Sequence, residues 1–142
     1  MQPVMTADEI MDMLDEVFPQ IHADGKVYTI ESVAPGKAVL RLTANERHLR
    51  PGGTVSGPTM MAMADFAAYV VTLAHIGPEA LAVTTNLNIN FLRKPEPGDL
   101  LATCQLLKLG KRLAVVDCFI AGDGQEELVA HATATYSIPP RK

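Results

Sequence analysis

From Pro51 to Leu92 the chain almost lacks charge. Its only acidic or basic side chains there are Asp65, His75 and Glu79. No lysine or arginine accompanies Asp65 in Met60-Met61-Ala62-Met63-Ala64-Asp65-Phe66-Ala67-Ala68-Tyr69-Val70-Val71. An ionised carboxylate in such apolar surroundings is strongly unfavourable unless it is partnered. Asp65 must therefore reach water, or be a buried carboxylate whose protonation is shifted, which is a signal of a functional site.

Other absences narrow the field. The chain has two cysteines, Cys104 and Cys118, both inside apolar runs. They read as buried free thiols in a reducing compartment. The net charge is −4 and no lysine- or arginine-rich run is present, which argues against nucleic acid as a partner. The start of the chain has neither a basic n-region nor a long apolar h-region, so no signal peptide is expected. The longest apolar stretch is broken by Asp65 and is too short to span a bilayer. The expectation is a cytoplasmic protein with no membrane partner. His22, His48, His75 and His131 show no metal-ligand spacing, so no metal is expected. No serine nucleophile elbow, phosphate-binding glycine loop or dinucleotide fingerprint occurs.

No repeat, linker or low-complexity tract divides the 142 residues, so residues 1–142 read as one domain with room for a real core. Thr6-Ala7-Asp8-Glu9 is a capping-box pattern, followed by Ile10, Leu14 and Val17 at helical spacing. This predicts a short scaffold helix within residues 1–20. Residues 26–34 and 37–43 read as two strands joined at Pro35-Gly36. A polar loop from Asn45 to Gly53 follows. Gly57 then fits as N-cap with Pro58 at N1 of a helix over 57–76. That helix is apolar nearly all round, so it is expected to be buried on most sides. Four strands complete the chain. In the first of them, Val83, Thr85, Leu87, Ile89 and Phe91 alternate with Thr84, Asn86, Asn88 and Asn90. One buried helix needs something to wrap it, and a curved antiparallel sheet is the economical answer, giving an α+β domain.

The long helix also has electrostatic consequences. Its N-terminus offers unsatisfied N–H groups near Gly57 and a positive dipole end, which can polarise a carbonyl. Asp65 is the only acid on the helix and the candidate base or nucleophile. A second reading is that it simply hydrogen-bonds a loop backbone or a core tyrosine. Gly57 and Asp65 lie eight residues apart, about 12 Å at ~1.5 Å per residue. Both must come within about 3 Å of the reacting group. One helix cannot do this on one carbonyl, whereas two antiparallel copies can. The spacing predicts a homodimer with two shared sites.

Gly52-Gly53-Thr54-Val55-Ser56-Gly57-Pro58 leading to Ala62-Met63-Ala64-Asp65 resembles the helix start of hotdog-fold acyl-CoA thioesterases, in the branch related to the phenylacetate-degradation thioesterase. Ala82 to Pro95, then Gly98-Asp99, and Leu109-Gly110-Lys111-Arg112-Leu113-Ala114 are similar to the same branch. The resemblance implies a hotdog fold, dimers that often pair into tetramers, and an acyl-CoA thioester as substrate, with no separate cofactor. It implies that the Gly57 N–H polarises the carbonyl, that Asp65 of the partner subunit activates water or attacks directly, and that Thr84 helps orient the water. The family's usual His-Gly-Gly is here Ser56-Gly57-Pro58, and an upstream Asn corresponds to about Arg50. Ser56 could replace the histidine as a donor, and Arg50 could contact the acyl carbonyl or the CoA. Met61 and Tyr69 are expected to shape the acyl pocket. Arg93, Lys94, Lys111 and Arg112 are candidates for CoA phosphates. Acyl-CoA binding without turnover is an alternative function. A hotdog dehydratase or hydratase ranks last, because no histidine lies on the helix near Asp65.

Overall fold

The computed structural model describes residues 1–23 and 25–140. Helix α1 (Ala7–Val17) opens on the expected capping box. Thr6 Oγ1 accepts from the Glu9 N–H at 3.1 Å, and Glu9 Oε1 accepts from the Thr6 N–H at 2.9 Å. Its Ile10 and Leu14 are fully buried. A 3-10 turn (Pro19–His22) leads to β1 (Tyr28–Ala34) and β2 (Lys37–Leu42). A second 3-10 turn (Glu46–His48) precedes a two-strand ribbon, β3 (Leu49–Arg50) and β4 (Thr54–Val55). Gly52 and Gly53 turn that ribbon at φ 101° and 79°, a region that side chains with a Cβ disfavour. Helix α2 (Gly57–Ile76) follows, then β5 (Val83–Phe91), β6 (Leu100–Leu109), β7 (Leu113–Gly122) and β8 (Leu128–Ser137).

The six long strands form one antiparallel sheet in the order β1-β2-β6-β7-β8-β5. α2 lies against β2, β5, β6, β7 and β8, so the sheet wraps the helix as expected of an α+β hotdog fold. Strand β8 turns Ala130, Ala132 and Ala134 inward, all essentially without exposure, which lets α2 approach closely. Every residue from Phe66 to Ile76 is buried. Contrary to the sequence expectation that this apolar stretch is too short, α2 is by length and composition able to cross a membrane, but here it is the buried core helix. Cys104 and Cys118 sit opposite each other on β6 and β7 as free, buried thiols, and burial pushes the Cys104 thiol well up.

Two details differ from the sequence expectation. Ser56, not Gly57, caps α2: its hydroxyl accepts from the Thr59 N–H at 3.3 Å and donates to Thr59 Oγ1 at 2.9 Å. A hydroxyl at N-cap satisfies an orphan N–H that glycine cannot. The alternation along β5 is also interrupted. The register with β8 shifts between Thr84 and Asn86, so Thr85 is the extra residue. Past it, the partly buried positions are Leu87 and Ile89; before it, the partly buried one is Thr84. A bulge moves side chains to the opposite face. Thr84 therefore shares the inner face with Leu87 and Ile89, rather than the outer face with Asn86, Asn88 and Asn90.

Candidate active site

Asp65 lies where α2 changes character. The second half of the helix is buried, while Pro58, Met61 and Ala62 are exposed and Asp65 is half-buried. These positions follow i, i+3, i+4, i+7 and form one stripe. The carboxylate thus keeps access to the surface without leaving an apolar helix.

Two hydroxyls converge on one oxygen of Asp65. Thr84 donates to Oδ1 at 2.5 Å, and Tyr136 lies 2.7 Å from the same atom. The Tyr136 hydroxyl is also 2.9 Å from the Asp65 backbone carbonyl. Oδ2 accepts no hydrogen bond among the described residues. Tyr136 stacks on Tyr69, with ring centroids 5.8 Å apart, and Tyr69 donates to the Ala80 carbonyl at 2.8 Å. Burial pushes both phenols above their ordinary range, and for Tyr136 the adjacent Asp65 charge adds to the effect.

Asp65, Phe18, Tyr69 and Tyr136 form the wall between two cavities. One, of about 310 Å³, is completed by Ile21, Val27, Tyr28, His48, Thr59, Ala62 and Phe66. The Tyr28 and Phe66 rings pack there at 4.9 Å. The other, of about 320 Å³, runs under the loop from Ala80 to Thr84. The first is a mostly apolar chamber with a few polar groups, the common form of a small-molecule site.

Gly57 lies elsewhere. It lines a separate cavity of about 400 Å³ with Arg50, Thr54, Val55, Met60, Phe91, Leu92, Arg93, Lys94 and Pro95. The structure thus brings Gly57, Arg50, Arg93 and Lys94 together, and Asp65, Thr84 and Tyr69 together, but not the two groups within one protomer. Arg93 also pairs with Glu127. Lys111 and Arg112 line a fourth cavity, beside His75 at the far end of α2. Met61 and Pro58 are exposed on the α2 stripe and line none of these cavities. Among the described residues no cluster of metal-ligating side chains occurs.

Sequence reasoning missed Tyr136 as a site residue. The alternation of β8 places it inward after three alanines, and a buried tyrosine hydroxyl needs a partner. That pattern alone does not name a partner 71 positions away.

Thr54 is only 5% exposed, and its hydroxyl has no partner among the described residues. An unsatisfied buried hydroxyl is unfavourable, so Thr54→Val is expected to raise stability by about 1 kcal/mol and the melting midpoint by about 4 °C. Calorimetry on the two proteins checks this; a lower midpoint for the variant contradicts it.

A family model described as the thioesterase superfamily matches residues 52–134. The chain belongs to the thioesterase superfamily. A crystal structure of a proposed thioesterase from Silicibacter is 52% identical, with a TM-score of 0.89, covering 99% of this chain and 96% of that one. A proposed thioesterase from Ralstonia eutropha, a phenylacetic acid degradation-related protein, is 29% identical, with a TM-score of 0.77 over 90% of this chain and 98% of that one. Acyl-coenzyme A thioesterase 13 of Homo sapiens is 29% identical over 114 residues, 78% of this chain and 79% of its own. These relatives place the fold within the thioesterase superfamily.

Proposed function

We propose that this member of the thioesterase superfamily hydrolyses an acyl-CoA thioester to the free acid and CoA. The observation that carries the reading is the Asp65 carboxylate. It is fixed at Oδ1 by two hydroxyls, while Oδ2 has no partner among the described residues, beside an aromatic-lined chamber. As a base, Asp65 takes a proton from water as the water oxygen bonds to the thioester carbonyl carbon. The tetrahedral intermediate then expels the CoA sulfur, which receives the proton. As a nucleophile, Asp65 bonds to that carbon itself, the C–S bond breaks, and water hydrolyses the resulting anhydride, its proton going to the released CoA sulfur.

The carbonyl is polarised by the backbone N–H of Gly57 of the partner subunit. In support, α2 leaves Pro58, Met61 and Ala62 exposed beside half-buried Asp65, and the edge strand β5 ends on exposed Val83 and Phe91, next to exposed Leu81 and Leu92. An uncovered apolar stripe beside an open edge strand fits a second copy of the chain. Antiparallel pairing about residue 61 sets Asp65 beside Gly57 of the partner subunit. It also sets Lys111 and Arg112 on the same side as Arg50, Arg93 and Lys94 of the partner subunit, which suits the CoA phosphates. The 310 Å³ chamber takes the acyl group.

Acyl-CoA binding without turnover remains the second reading. It is favoured by Ser56, whose hydroxyl is engaged in the helix cap and leaves the Gly57 N–H without a side-chain companion. Purified protein is assayed against a panel of acyl-CoA esters with a thiol reagent. One equivalent of thiol per acid supports hydrolysis. Saturable binding without thiol release supports the second reading and overturns the first.

A further inference from the structure

We infer that Tyr136 is the positioning residue of Asp65, and that with Thr84 it commits Oδ1 to the protein and leaves Oδ2 as the reacting oxygen. The inference rests on the reading of Asp65 as base or nucleophile. Three observations carry it. Tyr136 touches Asp65 twice, at the backbone carbonyl at 2.9 Å and at Oδ1 at 2.7 Å, so it fixes the side chain relative to its own helix turn. Tyr136 is itself immobilised: it is 3% exposed and stacked on Tyr69, whose hydroxyl is tied to the Ala80 carbonyl. Thr84 approaches the same oxygen from β5, and the bulge at Thr85 is what turns it inward.

The chemistry follows from the donor count. A carboxylate on an aspartate has two χ angles and two equivalent oxygens. Two hydroxyl donors on one oxygen remove that equivalence and fix the lone pairs of the other. Fixed orientation raises the fraction of encounters in a near-attack geometry. A phenol whose ionisation is pushed upward by burial stays a donor throughout the neutral range. Asp65 faces Thr84 from β5, Tyr136 from β8 and Tyr69 from its own helix, and shares its chamber with His48.

Tyr136→Phe removes one oxygen and keeps the ring stack. With the acyl-CoA ester that wild type turns over best, kcat is expected to fall about 10-fold with KM within about 2-fold. A merely structural role moves the melting midpoint and leaves kcat of the folded protein in place. Tyr136→Met, an apolar side chain that adapts to irregular space, serves if the phenylalanine variant does not fold. A variant that folds with wild-type kcat overturns the inference. Wild type and Asp65→Asn are measured in parallel. Turnover by wild type but not by Asp65→Asn, together with a normal Tyr136→Phe, rejects Tyr136 alone. A fully active Asp65→Asn rejects the reading of Asp65 and the inference with it.

Discussion

Asp65→Asn is expected to lower kcat for thioester hydrolysis by about 10²–10⁴-fold while leaving KM within a few-fold. The substitution is nearly isosteric. An asparagine amide oxygen can take the place of Oδ1 and still accept from Thr84 and Tyr136, which now donate to it at 2.5 and 2.7 Å. What disappears is the second oxygen, the one with no partner, and with it the base or nucleophile. Folding is expected to persist, because the carboxylate makes no ion pair among the described residues. The measurement is thiol release under saturating acyl-CoA, with the melting midpoint as a control. Wild-type turnover in Asp65→Asn removes Asp65 from the mechanism. If activity is lost as expected, a single turnover of wild type in ¹⁸O-water separates the two modes. Base catalysis puts the label in the acid product. Label in Asp65, with an oxygen from the protein in the product, identifies direct attack followed by water addition at the Asp65 carboxyl carbon.

Gly57→Val is expected to lower activity by about 10²-fold or more by obstructing the N–H that polarises the carbonyl. Space limits what fits there: a Cβ on Gly57 meets the Phe91 ring at 3.4 Å, so alanine is accommodated and a β-branched side chain displaces the ring. The sharper result comes from pairing the two variants. A heterodimer of one Asp65→Asn subunit and one Gly57→Val subunit contains one site with both defects and one with neither, if each site draws on both subunits. Heterodimers isolated through two different tags are then expected to recover about half of the wild-type activity per dimer. If each site lies within one subunit, the same heterodimer contains no intact site and stays inactive. The structure favours the first outcome, because Gly57 and Asp65 of one chain line separate cavities.

Much of this was legible in the chain. The capping box at Thr6 and the apolar run after Ser56 define the two helices from local patterns alone, and the alternation of the later strands defines a sheet that wraps the second. Asp65 stood out because charge is otherwise missing around it. Of the two readings of Asp65, the hydrogen bond to a core tyrosine is seen directly, and the same residue also lines the aromatic chamber that the proposed chemistry uses. Two readings changed, for different reasons. Taking Gly57 as the cap overlooked that a serine hydroxyl one residue earlier satisfies an orphan N–H better. Grouping Thr84 with Asn86, Asn88 and Asn90 assumed unbroken alternation, and a one-residue bulge reverses faces without changing composition.

The sequence by itself determined the α+β architecture, the buried helix and the identity of its lone acid, because helical period, strand alternation and charge scarcity are local properties. Only the tertiary structure decided what holds that acid. Thr84 and Tyr136 lie 19 and 71 residues from Asp65. They meet it because β5 and β8 pair beside α2 and because Thr85 bulges. Long-range hydrogen bonds of this kind depend on sheet register, and register is set by packing rather than by any local pattern.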